Sequence, residues 1–116
     1  MSQNESPIKY RFWYPFPLWV IRYIRETALT RGWKEVSDEA PKFIFVDART
    51  CPKLVRDAKG RPRFSGFSVI ALVALSAREW YRRECESVGA KMVKNMPIDK
   101  KEAMSLLLAI EESFAE

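Results

Sequence analysis

Lys42-Phe-Ile-Phe-Val-Asp47 (KFIFVD) is the stretch on which the fold turns. It is short, almost continuously apolar, and bounded by the turn-forming SDEAP before it and ART after it. That pattern predicts a β-strand over 42–47. A solvated hairpin strand alternates apolar and polar residues. This one does not, so it predicts an interior parallel strand covered on both faces.

Working back toward the N-terminus, Trp33–Val36 (WKEV) reads as a short strand. Before it, LWVIRYIRETALTRG carries helical periodicity, with Val20, Ile24 and Ala28 on one face and Ile21 and Leu29 beside it. Arg22, Arg25 and Glu26 then face water. Pro17 suits the first turn, Arg31 the last turn and Gly32 the C-terminal cap. Ile8–Tyr14 (IKYRFWY) reads as a strand stopped by Pro15 and Pro17. Strand, helix, strand at this spacing predicts a βαβ unit.

Working forward, CPKLVRDA suits a turn or two of helix and KGRPRFSG a loop. FSVIALVALSAREWYRRECESVG is expected to be one long helix. Val69, Leu72, Val73 and Ser76 share a face, Leu75 and Trp80 extend its buried surface, and Gly89 closes it. Ala90–Val93 is expected as a last short strand. Asp99 and Glu102 form a D-x-x-E capping pattern for a final helix, with Met104, Leu107, Leu108 and Phe114 on its buried side. The whole predicts residues 1–7 as a flexible tail and 8–116 as a single three-layer α/β domain. Its sheet is small and mostly parallel, with helices on both faces.

Composition fits one such domain. The chain has 116 residues, 47% hydrophobic and 30% charged, which suits one modest core. Its net charge is +5, with a pI near 9.4. A basic surface attracts nucleic acid, anionic lipid or acidic protein segments. The polar start and the shortness of the run from Val69 to Leu75 argue against a signal peptide or a membrane span. Cys51 and Cys85 have neither metal-site nor C-x-x-C spacing, so two reduced thiols in a cytoplasmic protein are expected.

The chemistry available is limited. The chain lacks histidine altogether, which removes Ser-His-Asp and Cys-His catalysis and histidine-bound metal. No G-x-G-x-x-G or Walker loop occurs, and no cofactor or metal is expected. Asp47, at the carboxyl end of the best strand, is the one candidate polar site, since α/β proteins bind ligands there. The plainer reading has it accepting hydrogen bonds from the amides of the following turn. Glu79, Glu84 and Glu86 are expected to be solvated.

Two basic clusters are candidate binding surfaces. Arg49, Lys53, Arg56, Lys59, Arg61 and Arg63 lie on one loop and suit phosphates or an acidic peptide. Arg82 and Arg83 sit beside Trp80 and Tyr81, a pairing that stacks bases when exposed and packs a helix when buried. The aromatic start, Tyr10, Phe12, Trp13, Tyr14, Phe16 and Trp19, is denser than one small core needs. Either helices cover both faces of that strand, or one face meets a partner or a second copy in a homodimer.

The segments YRFWY, TRGWKEV and APKFIFVDART together resemble the N-terminal domain of the tubulin tyrosine ligase family. Gly32, Trp33, Lys34, Pro41, Phe43 and Arg49 carry the likeness, with Val93, Asn95 and Lys101 further on. The resemblance implies an α/β domain of the kind that precedes an ATP-grasp fold. The family's nucleotide-binding residues have no counterpart here, so it implies no ligase activity. It implies instead a basic surface docking acidic protein, at Arg49, Lys53, Arg56, Arg61 and Arg63. These readings converge on a non-catalytic protein-binding module or complex subunit. A nucleic-acid-binding protein using the Arg49–Arg63 loop, and a small enzyme or enzyme subunit with a carboxylate at Asp47, are the alternatives.

Overall fold

The computed structural model describes residues 7–13, 16–51, 53, 68–74 and 79–113. Its elements in chain order are β1 (Lys9–Trp13), α1 (Leu18–Thr30), β2 (Lys34–Glu35), β3 (Phe43–Asp47), β4 (Ser68–Val73), α2 (Glu79–Ser87), β5 (Met92–Asn95) and α3 (Lys100–Ser113). The five strands form one sheet in the order β2-β1-β3-β4-β5, and every pairing is parallel. This is the flavodoxin-like order of doubly wound sheets, with its reversal of direction between β1 and β3.

The three-layer arrangement follows from strand alternation. Tyr10 and Phe12, Phe43 and Phe45, and Ile70 and Leu72 point to one face. There they meet Val20, Ile24 and Ala28 of α1 and Leu107 and Ile110 of α3. Ile44, Val46, Val69, Ala71 and Val73 point to the other face, where Cys85 of α2 joins them. All five residues of β3 are buried, as an interior strand requires. The aromatic density also finds its use on the first face. Tyr10 meets Phe12, Trp33 and Phe45 edge-on at 5.6, 5.9 and 5.9 Å, geometry that adds to simple area burial.

Several local expectations differ from the fold. The predicted long helix is split: Ser68–Val73 is strand β4, and among the described residues of this stretch the helix is Glu79–Ser87. A run of Val69, Ile70, Leu72 and Val73 satisfies a helical face and a doubly covered strand equally well. Pairing against β3 and β5 decides for the strand. Trp80 is 58% exposed, Leu29 79% and Leu108 44%, so none of the three lies on a buried face as expected. In α3 the buried positions are Ala103, Leu106, Leu107 and Ile110, with Met104 only half-buried. Leu75, Phe114 and the expected helical turn over CPKLVRDA fall at or run into residues outside those described. Pro17 sits at the N-cap of α1 rather than in its first turn.

Arg31 is the C-cap of α1 rather than part of its last turn, while the closing glycines and the Asp99 cap behave as the sequence implies. Gly32 and Gly89 have φ of 78° and 99°, a left-handed conformation that closes α1 and α2 without steric cost. The Glu102 amide donates to Asp99 Oδ1 at 2.8 Å, and Glu102 Oε1 accepts from the Ile98 amide at 3.2 Å.

One connection departs from doubly wound practice. Parallel neighbours are ordinarily joined through a helix, over a dozen or more residues. Between Glu35 of β2 and Phe43 of β3 there are seven. The path is short because β2 has only two residues, paired with Lys9 and Tyr10, while Phe43 also pairs with Tyr10. The chain therefore moves sideways past β1 with almost no climb. Arg11 holds this strap, donating to the carbonyls of Val36, Ser37 and Glu39 at 3.2, 2.8 and 3.0 Å.

Candidate functional site

Ligands of open parallel sheets bind beyond the carboxyl ends of the strands, at the switch point. Here that is the end of β1 and β3, where Trp13 and Asp47 lie. Asp47 is 3% exposed. Its Oδ1 accepts from the Arg49 amide at 2.9 Å and from Arg49 Nε at 3.3 Å, and its Oδ2 accepts from Arg49 Nη2 at 3.0 Å. The Asp47 carbonyl takes the Thr50 amide and hydroxyl at 2.9 and 3.0 Å. The turn thus wraps its own carboxylate, as the plainer reading of Asp47 has it. The bond to Asp47 raises the Arg49 pKa further above its usual value. Such a carboxylate is spoken for, and what the turn shows to solvent is the Arg49 side chain, 62% exposed.

The structure joins two clusters that lie apart in sequence. Tyr81 of α2 packs against the second-face core cluster, to which Ala48, the neighbour of Arg49 in the turn, also belongs. The Tyr81 ring meets Trp80 edge-on at 5.0 Å, and Trp80 is among the more exposed large hydrophobic residues. The helix starts at the carboxyl edge because it follows β4 and runs back along the sheet, which brings its first turn beside the end of β3. Sequence reasoning assigned Trp80 and Tyr81 to helix packing. The period that places Cys85 inward does leave Trp80 outward.

The remaining candidates separate. Arg82 is structural: it donates to the Val93 carbonyl at 3.2 Å and to Asn95 Oδ1 at 3.1 Å, and pairs with Glu79 at 3.6 Å. That stitches α2 to β5. Arg83 and Lys53 are exposed, while Arg56, Lys59, Arg61 and Arg63 lie outside the described residues. Phe12 and Phe16 are interior at 3% and 8% exposure, and their rings meet at 5.8 Å. Trp13 is half-buried against the second face of the sheet. Trp19 is partly exposed and meets Tyr23 edge-on at 6.3 Å; Tyr14 lies outside the described residues. Glu79 and Glu86 are exposed and Glu84 is half-buried.

Among the described residues, no group of three His, Cys, Asp or Glu side chains is placed to hold a metal ion. No helix there is long and apolar enough to cross a membrane. An open cleft of about 250 Å³ runs between β5 and α3, lined by Lys94, Asn95, Pro97 and Glu102 among others, two strands away from Asp47. The site and strand order define a doubly wound α/β domain whose switch-point carboxylate is closed by its own turn. No family model matches the chain, and no curated protein does.

Proposed function

We propose that this domain is a non-catalytic protein-binding module, a cytoplasmic subunit that grips an acidic segment of a partner. The contact surface is Arg49, Tyr81 and Trp80, with Lys53 and Arg83 also exposed. The observation behind this reading is an exposed tryptophan edge-on to a tyrosine, on a helix that packs against the same core cluster as the residue before Arg49. That is the residue set that dominates binding energy at protein interfaces. Arg49 is held in place by Asp47, so it is presented with little entropy left to lose. The likeness to the tubulin tyrosine ligase N-terminal domain supplies a concrete partner chemistry, a glutamate-rich chain.

The same trio suits stacking of an unpaired base, which is the second reading. Fluorescence anisotropy with a labelled glutamate-rich peptide and a labelled single-stranded oligonucleotide separates the two. The protein reading expects peptide binding weakened at least tenfold in Trp80→Ala, a substitution on the surface that leaves folding almost untouched. Tight oligonucleotide binding that falls steeply with salt and depends on Trp80 would favour nucleic acid. Binding of neither, or peptide binding indifferent to Trp80, would sink the proposed surface.

A further inference from the structure

Cys51 and Cys85 are separated by more than thirty positions in the sequence, yet both are completely buried in the core cluster on the second face of the sheet. Both are free thiols. The Cys85 thiol donates to the Ala48 carbonyl at 3.3 Å, three residues before Cys51, and the two thiols are near enough to shift each other's pKa, Cys51 upward and Cys85 downward. The turn after β3 thus brings Cys51 and Cys85 into one buried cluster. Nothing in the folding of this core requires thiols there, since a small apolar residue fills such a position as well.

We propose that Cys51 and Cys85 are a reversible oxidation site at which a hydroperoxide closes an intramolecular disulfide. Cys85 is carried by α2, the element whose opening admits the peroxide, so Cys85 is the first nucleophile. Its thiolate attacks the outer peroxide oxygen, the O–O bond breaks, and the alcohol leaves with a proton. The Cys51 sulfur then attacks the Cys85 sulfenic acid, the S–O bond breaks, and water departs. The sum is two thiols and one hydroperoxide giving one disulfide, one alcohol and one water. The two sulfurs supply the two electrons that reduce the O–O bond.

Access comes through α2. Of its nine residues only Cys85 is fully buried, so local opening of this helix costs far less than global unfolding and exposes the dithiol transiently. Closure of the bridge then ties α2 to the turn after β3 and raises the midpoint of heat unfolding.

The test uses the intact chain. It is treated with hydrogen peroxide, denatured, alkylated with N-ethylmaleimide and digested with trypsin. Mass spectrometry should find peptides 50–53 and 84–91 joined by a disulfide, with neither cysteine alkylated and with separation on adding dithiothreitol. Cys51→Ser and Cys85→Ser should each abolish the joined peptide. Two alkylated cysteines after peroxide would overturn the proposal, as would oxygen added to either cysteine without a bridge, or bridges formed only between two chains.

Discussion

The Arg11 guanidinium holds the Ser37 carbonyl at 2.8 Å from the middle of the strand that the strap crosses. Three carbonyls gathered by one side chain tie the strap to β1. Arg11→Met keeps most of the stem and removes all three charged bonds. With the partners largely at the surface, it should lower stability by about 1–2 kcal/mol, read as a fall in the urea midpoint at constant slope. An unchanged midpoint would mean that the backbone bonds at Val36 and Lys42 hold the strap unaided.

Asp47 and Arg49 should respond unequally to substitution. Arg49→Ala strands a buried carboxylate on a single amide and should cost about 1–3 kcal/mol. Asp47→Asn keeps an oxygen for that amide and leaves Arg49 free to be solvated, so it should cost less. Urea denaturation of both variants and of the double mutant gives the coupling. A larger loss in Asp47→Asn would contradict the closed-carboxylate description.

Acid should weaken the clasp between α1 and α3. The Arg31 guanidinium holds the Glu111 carboxyl below the usual range, helped by the Trp33 indole N–H at 2.8 Å. A depressed folded-state pKa contributes stability that is complete above the unfolded value, about 4.3, and is lost as pH falls through the folded one. Wild type should therefore exceed Glu111→Gln in stability at pH 7, and the gap should narrow toward about pH 3. Chemical denaturation at the two pH values checks this; a gap that stays constant would show that the Arg31 contact carries no charge dependence.

Asp99 caps α3 through the Glu102 amide. Asp99→Ala should cost about 1 kcal/mol and lower the thermal midpoint by about 4 °C in a domain of this size. Asp99→Ser should restore most of it, because a hydroxyl serves the same amide.

Strand β3, the face of α1 made by Val20, Ile24 and Ala28, and the Asp99 cap were all readable from the sequence, because each depends on neighbours within a few positions. The split of 68–87 into β4 and α2 was not. Val69, Ile70, Leu72 and Val73 are buried whichever period they follow, and only the neighbouring strands choose between them. Partners distant along the chain were hidden for the same reason. Arg31 and Glu111, and the two cysteines of the second-face core, come together through the winding of the sheet, which no local pattern encodes. Leu29 and Leu108 show the converse: each fits an apolar stripe and lies a step outside the arc that the sheet covers.

The sheet ends at β2, two exposed and charged residues, Lys34 and Glu35, bound by ion pairs to Glu39 and Arg25. An edge so short offers another chain almost no ladder to extend, and the charges oppose burial against a stranger's strand. On this side the β-structure is sealed against fibrillar growth. The brevity of β2 that lets the strap be short thereby also guards the domain against self-templated stacking.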